Sequence, residues 1–195
     1  FEERNEGGSI NLIQNGRFAK GTRGWDRGAG WEIENNNTSA DTENSLAVYT
    51  ATDTSTKNLM MKVNTPCDDR RPITIDFTYS VQNGTITTLR PRAAFYDDAG
   101  DLVELKTGVN NTSAPTAWTL NRQRITPPTG AKTMLLGVQV ETSADAIVWV
   151  DRISAYQSTP TFDITDIRSW GAVGSGDETA IIEAVEASDA SFINL

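Results

Sequence analysis

The sequence predicts an all-β fold: an antiparallel jelly-roll β-sandwich, followed by a short strand and one α-helix. Apolar and polar residues alternate in several short segments, which is the period of half-buried strands. Clusters of Asn, Asp, Gly and Pro separate these segments, and residues 9–157 contain no long helical period. Many short strands at this spacing are typical of an antiparallel sandwich or jelly roll.

Four segments carry the strand signal most clearly. The alternation is regular in residues 73–81, 89–95 and 134–140, and residues 146–156 form an apolar run rich in β-branched and aromatic side chains. Turn signals separate them. These turns are predicted at Asn83-Gly84, at residues 98–101 and at residues 127–130.

Composition excludes several classes of function. A net charge of −9 argues against binding a nucleic-acid backbone, and no apolar run approaches the roughly 20 residues that a membrane span needs. The chain has no histidine, so catalysis by Ser-His-Asp or Cys-His is excluded, as are histidine-based metal sites. Cys67 is the one cysteine, so no internal disulfide can form. We therefore predict a segment that is not itself an enzyme and has no catalytic residue.

The predicted domains follow the changes in composition. Residues 1–8 are a linker, residues 9–157 the sandwich, residues 158–162 a second linker, and residues 163–195 a strand followed by a helix. Asp177 can cap that helix, whose apolar positions share one face. An alternative is that this helix packs back on the sandwich.

The C-terminal segment resembles a known element. Residues 162–170, the glycine-bearing turn Gly171-Ala172-Val173-Gly174, the capped helix and the new strand from Ser191 follow one another in this order. The order is similar to the opening of a pectate-lyase-like right-handed β-helix. The resemblance implies that residues 163–195 are the N-terminal cap of a truncated parallel β-helix.

The sandwich also resembles a family. The resemblance rests on these motifs: residues 11–18 (Asn-Leu-Ile-Gln-Asn-Gly-Arg-Phe), Gly24-Trp25, Trp118, Pro127-Pro128 and residues 148–153. They resemble carbohydrate-binding-module jelly rolls over residues 10–156. That family often binds a structural calcium ion through carboxylates, but Ala19 and Arg152 stand at two of these positions. Asp151 remains as the candidate calcium ligand, and we expect no other cofactor.

The two resemblances together are similar to bacteriophage tailspikes and tail fibres. They imply a homotrimer that is assembled in the host cytoplasm onto a virion, beside other tail proteins. The segment would be a structural adaptor that positions a distal β-helix for receptor binding or polysaccharide cleavage, with some contact to cell-surface polysaccharide. The alternative is a carbohydrate-binding module of a secreted bacterial polysaccharide lyase or glycoside hydrolase.

The strand pattern predicts a candidate sugar-binding face. If Leu89, Ala93 and Phe95 point inward, their neighbours on the same strand point outward together. A sugar site needs an aromatic plane and polar side chains for the hydroxyl groups. The candidate residues, expected on one sheet face, are Asp76, Arg90, Arg92, Tyr96 and Gln139. Alternatives are a solvated face with charge pairs or a contact with a neighbouring subunit.

The tryptophans and the acidic cluster at residues 97–101 are expected to be structural. We expect Trp25 and Trp118 to be core anchors, and the pattern leaves Trp31 and Trp149 open. Residues 97–101 superficially match a calcium loop, but no glutamate closes the loop at the required distance, so a hairpin turn is expected.

Overall fold

The computed structural model describes residues 11–35, 40 and 45–157, and within them the chain forms strands in two antiparallel sheets. The predicted all-β sandwich is therefore confirmed. No helix in this part of the chain has the length and apolarity to cross a membrane. The predicted linkers (residues 1–8 and 158–162) and the strand-plus-helix cap (residues 163–195) lie outside the described residues. The strands are β1 (Trp25–Arg27), β2 (Trp31–Asn35), β3 (Ser45–Thr50), β4 (Lys57–Met61), β5 (Thr65–Pro66), β6 (Ile73–Asn83), β7 (Ile86–Tyr96), β8 (Leu102–Thr107), β9 (Thr119–Ile125), β10 (Thr133–Thr142) and β11 (Ile147–Gln157).

The strands form two sheets that pack face to face. The first sheet has the order β1-β4-β10-β7-β8, with β5 also paired to β10, and the second has the order β2-β3-β11-β6-β9. After β6 the chain passes from the second sheet to β7 and β8 of the first, then to β9, β10 and β11 in alternate sheets. These crossovers give the jelly-roll connectivity and place long strands at the centre of each sheet.

Strand β6 shows how the sequence builds this core. Ile73, Ile75, Phe77 and Tyr79 are fully buried, and they occupy alternate positions that point between the sheets. Strands β9 and β11 flank β6 on either side. Because the four side chains lie in the middle of the sandwich, truncating Phe77 to Ala would cost about 3–5 kcal/mol.

The N-terminal motif closes one end of the sandwich. The side chain of Asn15 donates to the carbonyl oxygens of Gly21 and Arg23, at 2.9 and 2.8 Å, and accepts from the backbone N–H of Lys20. The backbone carbonyl oxygen of Asn15 accepts from the indole of Trp25, whose ring lies 5.4 Å from that of buried Phe18. The motif that resembles carbohydrate-binding modules is thus a loop organised by one asparagine over two core aromatic rings.

The acidic cluster at residues 97–101 is a hairpin turn, as predicted. Asp97 Oδ1 accepts from the backbone N–H groups of Ala99 and Asp101, at 3.0 and 2.9 Å. The turn joins β7 to β8, and Gly100 takes a φ of +86°, which a glycine adopts without strain. The carboxylate of Asp97 therefore stabilises the turn through hydrogen bonds to its backbone.

Candidate functional site

The outer face of the first sheet carries most of the predicted site residues. Leu89, Ala93 and Phe95 of β7 are fully buried between the sheets. The intervening positions of the same strand point to the outer face, which places Arg90, Arg92 and Tyr96 there. Gln139 of β10 lies opposite Arg90 in the strand register, so it shares this face.

A shallow groove of about 380 Å³ crosses this outer face. Its apolar surface comes from strands β4, β7, β8 and β10. Leu105 of the edge strand β8 is 49 % exposed. The strand register could not be deduced from the sequence, so the contributions of β1, β4 and β8 were not predicted. The lining residues are Asp26, Arg27, Gly28, Thr56, Lys57, Asn58, Met60, Met61, Arg92, Ala94, Tyr96, Leu105 and Leu135.

Gly137 shapes the middle of this face. It pairs with Met60 on β4 and with Arg92 on β7, so it lies between two side chains of the groove. A Cβ atom at this position would clash with the carbonyl oxygen of Leu59 and would lie 2.8 Å from the sulfur of Met60. Only glycine fits where β4 and β10 approach so closely, and its missing side chain leaves a depression between Met60 and Arg92.

A row of hydrogen bonds joins three strands at the end of the groove. Arg90 donates from Nε to Oε1 of Gln139 at 2.9 Å, and Gln139 donates from Nε2 to Oδ1 of Asn58 at 3.2 Å. Gln139 is only 4 % exposed, although its side chain is polar. Because both ends of its amide are bonded, Gln139 holds the guanidinium of Arg90 in a fixed orientation on the face.

Arg92 lies in the groove without an acidic partner. Among the described residues, no carboxylate oxygen lies within ion-pair distance (4.0 Å) of Arg92 or Arg90. Other arginines of the chain are paired: Arg70 and Arg71 contact Asp68 at 3.2 and 2.9 Å. The outer face of β7 therefore presents two positive charges that form no ion pair with another described residue.

The prediction that all five candidates share one face is wrong for Asp76. Asp76 lies on β6, in the middle of the second sheet, where both of its oxygens accept from Arg122 at 2.7–3.0 Å. The hydroxyl of Tyr156 adds a hydrogen bond at 3.3 Å. Burial and the negative charge of Asp76 raise the pKa of Tyr156. Alternation alone placed Asp76 outward, but it could not assign β6 and β7 to different sheets.

The outer face of the second sheet also carries an aromatic pair. The rings of Trp118 and Trp149 lie 6.2 Å apart with an interplanar angle of 33°. Both are partly exposed, so the expectation that Trp118 anchors the core is wrong. Trp25, as expected, lies in the core, and so does Trp31. Trp118 precedes β9 and points away from the core because of its position in the β9 alternation.

Asp151, the candidate calcium ligand, binds two backbone amides. Its side chain is fully buried, with Oδ2 accepting from the backbone N–H of Ala40 at 2.9 Å and Oδ1 from that of Arg152 at 2.7 Å. Across residues 11–35, 40 and 45–157, no three acidic, cysteine or histidine side chains come together in a way that could hold a metal ion. Asp151 thus ties residue 40 and the bulge of β11 to the sheet. The assignment of Asp151 as a calcium ligand stays a prediction.

No protein-family model matches this sequence, and no curated protein matches it. Solved structures do match. The enzymatically active domain of tailspike protein 4 from bacteriophage CBA120 is 14 % identical, with a TM-score of 0.59 over 76 % of this chain and 21 % of that one. The CBM22-1 xylan-binding domain of Paenibacillus barcinonensis Xyn10C is 13 % identical, with a TM-score of 0.59 over 78 % of this chain and 97 % of that one.

A third match is the CBM22-1–GH10 part of Clostridium thermocellum xylanase 10B, solved with xylohexaose. It is 10 % identical, with a TM-score of 0.57 over 82 % of this chain and 31 % of that one. The chain thus spans about a fifth of the tailspike chain and nearly all of the isolated xylan-binding domain. At these identities the comparisons define the fold: a jelly-roll β-sandwich of the kind found in carbohydrate-binding modules and in a phage tailspike.

Proposed function

We propose that this sandwich is a non-catalytic glycan-binding module whose site is the groove on the outer face of the first sheet. The observation that carries the proposal is the ordered polar row of Arg90, Gln139 and Asn58 beside an apolar trough. A sugar ring has an apolar face and a rim of hydroxyl groups, so it needs both kinds of surface.

The groove supplies each of these. Met60, Leu105 and Leu135 provide apolar contact, and Tyr96 adds an aromatic ring at one end. Polar atoms lie on both sides of this trough, with Asn58 on β4 and Arg92 on β7. The groove is open along the sheet, which suits a chain of sugars better than a single enclosed ring.

The carboxylate content of the groove supports a binding role over hydrolysis. Among the described residues that line it, Asp26 is the one acidic side chain. A glycosidase places two carboxyl groups on opposite sides of the scissile bond, about 5–9.5 Å apart. The groove residues can hold a glycan by contact and hydrogen bonding, but they do not provide that pair.

Two settings for this module follow from the neighbours. The first is a structural adaptor of a phage tailspike or tail fibre: a homotrimer on the virion that positions a distal receptor-binding or polysaccharide-degrading β-helix. The match to the tailspike chain over 76 % of this sequence supports it. The second is a carbohydrate-binding module of a secreted bacterial polysaccharide-degrading enzyme, which the match to the xylan-binding domain supports equally. Light scattering on a chain extended past Leu195 separates them, since a stable trimer supports the first and a monomer the second.

Affinity electrophoresis in gels that contain a panel of neutral and acidic polysaccharides tests glycan binding itself. We expect at least one polysaccharide to retard the protein, and we expect Tyr96→Ala to weaken that retardation about fivefold to tenfold. Trp118→Ala, which removes an aromatic ring from the second sheet, is the matched control and should leave retardation unchanged. No retardation by any polysaccharide, or equal loss in both variants, would contradict the proposal.

A further inference from the structure

We infer that the groove recognises anionic polysaccharides, through an oxyanion of the sugar held by Arg90 and Arg92 on the outer face of β7. This inference rests on the proposed glycan-binding function and adds the chemical class of the ligand. The shared chemistry is a carboxylate or sulfate group attached to a sugar ring. Both groups present paired oxygen atoms that match the donors of a guanidinium group.

The orientation of Arg90 favours an external anion. A guanidinium carries five N–H donors, of which the one on Nε is bonded to Gln139 at 2.9 Å. Among the described residues this is the hydrogen bond that Arg90 makes, so its two Nη groups remain for a ligand. Because Gln139 is itself bonded to Asn58, the guanidinium group of Arg90 is held in place before a ligand arrives. Such preorganisation reduces the entropy lost on binding.

Arg92 adds a second charge on the same face. Two residues along a strand span about 6.6–6.8 Å, so Arg90 and Arg92 can contact neighbouring groups of one glycan. Arg92 is partly buried, and its position opposite Gly137 and Thr107 brings no carboxylate to it within the described part of the chain. Partial burial of a charge without a counterion is unfavourable, and an anionic ligand would relieve it.

Two acidic side chains lie near this face, and among the described residues neither forms an ion pair with Arg90 or Arg92. Glu141 shares the outer face of β10, but its Oε2 accepts from the hydroxyl of Thr56 at 3.1 Å. Asp26 lies on β1, three strands from β7 in the sheet order, which is about 14 Å at 4.7–4.9 Å per strand. With a Debye length of about 8 Å at physiological salt, screening limits the influence of the overall net charge of −9.

Isothermal titration calorimetry with the full 195-residue chain tests the inference. The probes are polygalacturonate as a carboxylated polymer, dextran sulfate as a sulfated polymer, and β-1,4-galactan and xylan as neutral polymers. We expect an anionic polymer to bind at least about tenfold more tightly than either neutral one, with an affinity that falls as salt increases. Arg92→Gln and Arg90→Gln should each reduce that affinity about tenfold. Arg90→Lys should retain only part of the affinity, because lysine keeps the charge but lacks the paired N–H donors of a guanidinium group.

Arg124→Gln is the matched control, since it removes the same charge from an exposed position of the second sheet. It should leave the affinity unchanged, and thermal melting checks that all variants fold. Tight binding of a neutral polymer with no effect of the β7 variants would overturn the inference while leaving the proposed function intact. Equal losses in the Arg124 variant would also overturn it, since binding would then reflect charge in general. If neither neutral nor anionic polymers bind, the inference and the proposed function both fail.

Discussion

Arg90 on β7 and Gln139 on β10 are joined by a 2.9 Å hydrogen bond from the guanidinium Nε to the amide Oε1, across the outer face of the first sheet. Gln139 is buried, whereas Arg90 keeps its two Nη groups available. The pair therefore combines a fixed support with a cation that can meet a ligand. The central position of β7 and β10 in the sheet makes this support rigid.

Gln139→Glu should abolish preference for anionic glycans while the protein stays folded. The change is nearly isosteric and places a carboxylate beside Arg90, so the guanidinium is neutralised from within. We expect the affinity for an anionic polymer to fall about tenfold or more, as measured by calorimetry. Glu141→Gln, which removes a carboxylate from the same strand, should preserve the affinity or raise it. An unchanged affinity in the Gln139 variant would show that Arg90 does not contact the ligand.

Asp76→Asn should lower stability without affecting glycan binding. Asp76 accepts three hydrogen bonds from Arg122 and one from Tyr156, but Arg122 is 60 % exposed at its side chain, so solvent weakens the pair. We expect a loss of about 1 kcal/mol in the free energy of unfolding, measured by urea denaturation. A loss of glycan affinity in this variant would show that Asp76 contributes to the binding site.

Trp118→Ala should likewise reduce stability and leave binding intact. The ring of Trp118 packs 6.2 Å from that of Trp149 and is partly exposed. We therefore expect the free energy of unfolding to fall by about 1–2 kcal/mol. Thermal melting and affinity electrophoresis on the same preparation give both readouts. A folded variant that has lost glycan affinity would place the sugar site on the second sheet.

Cys67 should be unreactive in the native protein. Burial, with the negative charges of Asp69 and Asp68, raises the pKa of the thiol to about 11. A thiol reagent at about pH 8 should therefore modify Cys67 slowly, and fast once guanidinium chloride unfolds the chain.

The same pKa shift has a consequence for stability. Between about pH 9 and 11 the unfolded thiol loses its proton while the folded thiol retains it, so stability falls as pH rises through this window. Cys67→Ser should remove this part of the pH dependence in denaturation experiments. Rapid modification of the folded protein would contradict the assigned burial.

Local patterns in the sequence were sufficient for the four long strands β6, β7, β10 and β11 and for the turns at Asn83-Gly84 and residues 97–101. The alternation in residues 73–81 and 89–95 predicted both strands and the inward set of each, because a half-buried strand has a period of two. Asn83-Gly84 and residues 97–101 identified their turns through known backbone preferences, which need no tertiary information.

The assignment of strands to sheets required tertiary information. Asp76 and Arg92 were both predicted to point outward, and both do, but on opposite sides of the sandwich. The contribution of Met60 and Asn58 depends on β4 pairing with β10 at Gly137, a register that alternation does not determine. Trp118 was misplaced because an aromatic residue beside a strand suggests the core, whereas the alternation of β9, continued back by one residue, directs it outward.

Backbone amide and side-chain NMR of the ¹⁵N-labelled protein, titrated with oligogalacturonate, locates the glycan site residue by residue. We expect shift changes at Arg92, Met60 and Leu135 and at the side chains of Gln139 and Arg90. The indole resonances of Trp118 and Trp149 should remain unchanged. Shift changes centred on those two indoles, or no changes at saturating oligosaccharide, would contradict a glycan site on the first sheet.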